Sequence, residues 1–303
     1  MLVVGLCVTA GKAATEHLPV VALAGVRCTA AALALWPLAR REGAGPPMTC
    51  AERRDLALQA LFGVFGFTLL MLGGVRYTGA TEAGLIAATM PLAILVLALP
   101  LLGEGLSVRA VRAAAFAALG IALVSGVRDA GMVPDGAAVP VSSALWLGNA
   151  LVVGAVACEA LYTIFAKRLA GRLPPATMAL RLNLVGLLMF APLLAFQPWG
   201  DLARNVPPAI WALGALYGVG TSAVALVLWY RGTRAVSAGT AGLFTVFLPV
   251  GAAASAVLFL GEAIAMRHVA GGLVIAFALV IGLAPRGGGG GVRPWLRRGR
   301  PRA

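Results

Sequence analysis

Apolar residues fill every helical face for about twenty positions at a time along most of this chain, and short polar or proline-bearing breaks separate the runs. A helix crosses the roughly 30 Å hydrocarbon core of a bilayer in about 20 residues. Lipid supplies no partner for backbone N–H and C=O groups, so spanning segments are helices or strands of a closed barrel. Barrel strands alternate apolar and polar residues. Leu85 to Leu102 and Gly239 to Leu260 do not alternate, so the pattern predicts helices. Ten are expected: Leu2 to Ala14, Val20 to Ala39, Leu56 to Gly74, Ala83 to Leu102, Val108 to Gly126, Ser143 to Ala166, Thr177 to Phe196, Ile210 to Tyr230, Ser237 to Leu260 and Val269 to Ala284. The first is short, because Lys12 interrupts it and Met1 leads straight into Leu2. With no basic segment ahead of Leu2 a cleaved signal peptide is not expected, and the expectation is a chain that starts inside its first helix.

The two halves of the chain carry the same punctuation. Ala83-Gly84-Leu85, Pro91 and Leu102-Gly103-Glu104 recur as Ala241-Gly242-Leu243, Pro249 and Leu260-Gly261-Glu262, and the same offset of 158 carries Arg109 onto Arg267. Lys12 and Leu18-Pro19 match Lys167 and Leu173-Pro174 at an offset of 155. Five spans per half is an odd number, so the second half enters the membrane from the opposite side. The expected fold is an all-α polytopic membrane protein of ten transmembrane helices in two inverted five-helix repeats, 1–127 and 143–284. An extracytoplasmic connector, 128–142, joins them, and a flexible basic cytoplasmic tail follows at 285–303. Inverted repeats serve secondary transporters, because exchanging the conformations of the halves turns an outward-open cavity into an inward-open one.

Composition agrees: 60% of residues are hydrophobic and 12% charged, against about a quarter charged in soluble domains. The net charge of +13 raises nucleic acid as a partner until its placement is read. With the amino terminus inside, cytoplasmic loops and tail collect 17 of the 24 lysines and arginines, against Arg76, Arg128, Arg204 and Arg267 outside. That bias sets both termini in the cytoplasm. It leaves the tail a weak attraction to anionic membrane lipid, and nucleic acid is not expected as a partner.

The paired proline and Leu-Gly-Glu spacing resembles the EamA-like branch of the drug/metabolite transporter superfamily, once per half over Met1 to Ala284. The resemblance implies a ten-helix carrier exporting or importing small metabolites across a cytoplasmic membrane; together with the inverted repeat, the expectation is a secondary transporter of small metabolites or drugs working by alternating access, with export the expected direction. It implies no cofactor. The short first helix departs from the family pattern.

A charge near mid-bilayer is costly unless paired or hydrated, so an intramembrane acid is a functional candidate. Glu159, well inside the sixth span, is the sharpest; Glu16 and Glu82 lie near span boundaries. Arg27 sits about two turns into the second span, roughly 12 Å from its start, and arginine keeps its charge. Arg27 with Glu159 or Glu16, and Asn183, are the expected substrate pathway; the competing reading is a structural pair locking the halves together. Proton coupling through Glu159 and facilitated transport both fit. Pro91 and Pro249 are expected mid-helix as hinges or cavity lining, and Glu104 and Glu262 as helix ends capping the next helix. Asn183, Gln59 and Thr221-Ser222 suit interhelical hydrogen bonds, Gly214 and Gly218 close packing, and Trp229 with Tyr230 an interfacial anchor. Cys7, Cys28, Cys50 and Cys158 have no metal or disulfide spacing, and no metal site is expected. No nucleophile-base motif, paired aspartates or Walker sequence points to an enzyme or to direct ATP use. A non-transporting scaffold or sensor is the alternative, and nothing in the residues assigns an oligomeric state.

Overall fold

The computed structural model describes residues 1–78, 83, 86–103, 107–124, 143–260 and 266–283. The connector 128–142, the tail 285–303, and Glu82, Glu104 and Glu262 lie outside the described residues. Within them all regular structure is helical: α1 (Leu2–Leu6), α2 (Val8–Thr15), α3 (Val20–Glu42), α4 (Cys50–Ala60), α5 (Phe67–Thr78), α6 (Met90–Leu102), α7 (Val108–Val124), α8 (Ser143–Leu169), α9 (Pro175–Ala195), α10 (Trp199–Asn205), α11 (Pro208–Gly218), α12 (Ala225–Thr233), α13 (Ala238–Leu243), α14 (Phe247–Leu260) and α15 (Met266–Leu283). Among the described residues five helices are long and apolar enough to cross a bilayer: Val20–Glu42, Cys50–Gly74, Trp146–Leu169, Pro175–Ala195 and Pro208–Thr233. Met90–Leu102 and Val269–Gly282 are apolar but shorter.

The prolines that punctuate the sequence begin helices. Pro19, Pro174 and Pro207 each hold the extended backbone that precedes α3, α9 and α11. Pro175 and Pro208 then occupy the first helical position, where a missing N–H costs nothing. Thr49 and Glu52 form a reciprocal capping box at the start of α4. At the other end of a span, Gly103 takes φ +65° and closes α6, its N–H donating to the Leu99 carbonyl. Ser107 Oγ accepts from the Ala110 N–H at 3.1 Å and so begins α7.

Two features depart from regular helices. A π-turn, Leu61–Gly66, joins α4 to α5, and another, Val219–Val224, joins α11 to α12. Pro91 and Pro249 are not mid-helix as expected. Turn residues Ala88 and Thr89 precede α6, with Pro91 in its first turn, and a 3₁₀ turn, Phe244–Val246, precedes α14, with Pro249 in its first turn. The physical reason is that a proline disrupts hydrogen bonding toward the preceding turn, so the helix restarts there rather than bending through it.

The interior is built from small residues. Ala22, Ala24, Cys28, Ala31, Ala155, Ala160, Ala166, Ala176 and Ala179 are buried, while Leu33, Trp146, Leu188, Leu258 and Leu273 face outward. Large apolar side chains outside and alanine inside suit lipid, where packing rather than apolar transfer holds helices together. Pairs in contact include α3 with α9, α7 with α15, α6 with α13, α5 with α8, α2 with α11, α6 with α8, α1 with α14, α3 with α11, α4 with α8 and α4 with α9.

Candidate functional site

Gly218 of α11 fixes the position of the first charged residue. A Cβ there would lie 2.6 Å from the Arg27 carbonyl oxygen and 2.7 Å from the Arg27 Cα. Only glycine lets the two backbones approach so closely, and the Gly214 side of the same helix meets Leu23 and Val26. One turn beyond Gly218, the π-turn carries Ser222. Arg27 Nη1 donates to Ser222 Oγ at 3.1 Å, and Asn183 Nδ2 of α9 donates to the Ser222 carbonyl at 2.9 Å and to the Ala179 carbonyl at 2.8 Å. Thr221 Oγ1 donates to the Tyr217 carbonyl at 2.8 Å. Three helices thus meet at one polar node.

Glu159 of α8 lies within electrostatic reach of this node. Arg27 is the charged group that acts on its carboxyl, yet the two do not come within ion-pair distance: the pairs among the described residues involve other acids. Glu159 is partly exposed and makes no hydrogen bond among the described residues, and Arg27, also partly exposed, makes one. Both retain unused hydrogen-bonding capacity, which is what a binding centre for a polar solute requires.

One turn along α8, Tyr162 lies in the electrostatic reach of Glu159, Arg27 and Tyr230. Its ring packs on Gly63 in the first π-turn, where a Cβ would sit 2.0 Å from the ring. Tyr230 is not the interfacial anchor its place near a span end suggested. It is 2% exposed, and its hydroxyl accepts from Gln59 Nε2 at 2.7 Å. The sequence misled because aromatic position along a helix does not give the face: α12 turns Tyr230 inward and Leu228 outward. Replacing Tyr230 with phenylalanine strands both ends of the buried Gln59 amide, since Gln59 Oε1 already lacks a hydrogen bond. The expected loss is on the order of 1 kcal/mol, as for other interhelical bonds in membranes, read as a lower unfolding temperature in detergent.

Below this layer lies a charged end. Asp55 is 5% exposed inside α4, and its Oδ2 pairs with Arg168 Nε at 3.1 Å while Arg54 Nη2 stands 3.7 Å from Oδ1. Glu42 uses both oxygens, one toward Arg231 at 3.6 Å and one accepting from the Ala176 N–H at 2.8 Å. Glu52 pairs with Arg172. Lys167 Nζ donates to the Thr233 carbonyl at 2.8 Å and to that of Val236, and Arg234 donates to the Leu173 carbonyl. Asp55 and Gln59 are four residues apart on one helix, the signal that could have found them.

The remaining expected residues stand apart. Glu16 is exposed at the end of α2 and does not join Arg27 in an ion pair. Pro91 is buried at the start of α6. No group of three or more histidines, cysteines or acids suited to a metal occurs among the described residues.

Sequence comparison matches residues 1–126 and 146–283 to the EamA-like transporter family. The uncharacterized transporter YetK of Bacillus subtilis (strain 168) is 32% identical over 285 residues, covering 93% of this chain and 82% of that protein. An uncharacterized transporter of Archaeoglobus fulgidus is 26% identical over 229 residues, covering 73% and 76%. One crystal structure superposes with a TM-score of 0.75 at 18% identity over 93% of both chains, a likeness of fold.

Proposed function

This chain belongs to the EamA-like transporter family and is a multi-pass membrane transporter, and from that premise we propose that it is a secondary carrier of small polar metabolites or drugs. Two inverted five-helix halves alternate access to a centre formed by Arg27, Glu159, Asn183 and Ser222. Export from the cytoplasm is the working direction, with both termini and the arginine-rich end of the bundle inside.

The observation that carries this reading is the polar node that joins the two halves, where Arg27 donates to Ser222 at 3.1 Å and its charge reaches Glu159. Arg27 comes from the first and Glu159 from the second, and repeat interfaces near mid-membrane are where secondary carriers bind their cargo. Two further observations support it. The π-turns begin at Leu61 and Val219, an offset of 158 that equals the spacing of Pro91 and Pro249. Several helix pairings also map onto one another when each segment is exchanged for its counterpart: α4 with α8 becomes α11 with α2, α6 with α8 becomes α14 with α1, and α3 with α11 becomes α9 with α4. Such exchange is what a two-fold axis in the membrane plane imposes.

Charge placement suits a solute that carries a carboxylate or another acceptor toward Arg27 and a donor toward Glu159. Comparing extracellular metabolites of cells lacking and overexpressing the gene, then measuring counterflow of the enriched solutes in proteoliposomes, tests the proposal. Accumulation outside the overexpressing cells with saturable counterflow is expected. No solute moving in any proteoliposome preparation overturns the carrier reading in favour of a scaffold or sensor.

A further inference from the structure

Between the polar centre and the arginine-rich end, the bundle is closed by two layers that share one helix. Asp55 and Gln59 lie one turn apart on α4 and face the same side. In the outer layer Asp55 reaches α8 through Arg168 at 3.1 Å; in the inner layer Gln59 reaches α12 through the Tyr230 hydroxyl at 2.7 Å. Arg168 also lies over the Phe165 ring, 5.7 Å from its centroid, and Phe165 stacks on Phe62 at 6.1 Å. We propose that α4 is a gate helix whose Asp55–Arg168 and Gln59–Tyr230 contacts seal the cytoplasmic approach to the Arg27–Glu159 centre and part during transport. The inference rests on the carrier reading and adds the moving part to it.

Two physical features distinguish a gate from permanent glue. Each layer is incompletely satisfied among the described residues: Gln59 Oε1 is buried without a hydrogen bond, and Asp55 Oδ1 has none either, only the Arg54 guanidinium 3.7 Å away. An unpaired polar atom in a low-dielectric interior is costly, so a permanent lock would use both ends of each group, as Glu42 does with Arg231 and the Ala176 N–H. Water entering a parted interface satisfies both orphaned oxygens and offsets the ion pair and hydrogen bond that opening breaks. The second feature is mechanical. The π-turn Leu61–Gly66 follows Gln59 within two residues, and Gly43 and Gly45, at φ +85° and +69°, lie in the segment that leads to α4. A helix segment flanked by a π-turn and a glycine-bearing loop has its pivots built in. Meanwhile α12 is tied to α3 by Arg231 and Glu42, and to α8 by Lys167 and the Thr233 carbonyl. Motion therefore falls to α4, which leaves α8 and α12 together and breaks the more exposed Glu52–Arg172 pair as well.

Cys158, buried with its Sγ 3.4 Å from where a Cβ on Gly66 would lie, reports on the parting of the π-turn that follows α4 from α8. In a background with Cys7, Cys28 and Cys50 replaced by serine, an impermeant maleimide is applied to inside-out and right-side-out vesicles. Asp55→Asn and Tyr230→Phe should each raise labelling from the cytoplasmic face about fivefold, the shift expected from losing one such contact. The exchange Asp55→Arg with Arg168→Asp should return labelling to the starting level, which a merely unfolded protein would not do. Unchanged labelling in both single variants, with Cys158 still reached from the opposite face, overturns the gate and leaves the carrier reading standing. Failure to label from either face in every variant likewise overturns the gate, since the turn then never parts from α8, while counterflow measured on the same preparations judges the carrier reading separately.

Discussion

Replacing Arg27 with glutamine, or Glu159 with glutamine, is expected to abolish measurable transport while the protein still inserts and purifies as a folded species. Each side chain is the main unused polar contact offered from its own half. Truncating one charge of a desolvated recognition site costs about 2–5 kcal/mol, so at 1.4 kcal/mol per tenfold the rate at low solute concentration falls by about 30-fold or more. Arg27→Gln also drops the 3.1 Å hydrogen bond to Ser222 and leaves Glu159 without a compensating positive charge. The double variant should lose less than the two single losses combined, because both act through one coupled site. Counterflow in proteoliposomes, normalised to inserted protein, measures this; full rates in both single variants would remove the pair from the transport cycle and leave it a structural tie.

The largest loss of stability is expected from Gly218→Val. Its Cβ would meet backbone atoms of Arg27 at 2.6 and 2.7 Å, and backbone cannot yield as a flexible side chain does. Helices α3 and α11 must separate, at a cost of about 1–3 kcal/mol or more for overpacking, and Arg27 moves away from Ser222 with them. Gly232→Ala is the matched control, since its added Cβ meets nothing within 4 Å. A lower unfolding temperature for the first and none for the second, by thermal scanning in detergent, is the expected result. Equal temperatures for both would mean that the crossing at Arg27 is loose.

What the sequence disclosed follows from which physical signals are local. Prolines before Val20, before Pro175 and before Pro208 were readable as breaks between runs, because fixed φ and the missing N–H act on the immediate neighbours, although the helices start at Pro175 and Pro208, two residues ahead of the expected Thr177 and Ile210. Arg27 and Glu159 stood out because a charge inside an apolar run is costly wherever the helix turns. The breaks before α6 and α14 were not legible in detail: a proline announces a disturbance but not which turn yields. Nor were the π-turns, since Leu-Phe-Gly-Val-Phe-Gly and Val-Gly-Thr-Ser-Ala-Val share no pattern. Tyr162, Tyr230 and Asp55 escaped for a third reason. Their importance comes from the face each helix turns inward, and in lipid both faces are apolar, so periodicity gives little orientation.

Each π-turn holds one residue more than the regular spiral, and at 3.6 residues per turn that surplus rotates everything beyond it by about 100°. Deleting a single residue between Val219 and Val224 would therefore act like a screw: α12 would present a new stripe to the bundle, with Leu228 brought into the buried direction of Val227 and Tyr230 carried to the half-buried direction of Trp229. In alignments of relatives, a one-position gap at Leu61–Gly66 or Val219–Val224 marks a change of phase in the helix, and residues on the far side of it should be matched by direction in space before they are matched by count.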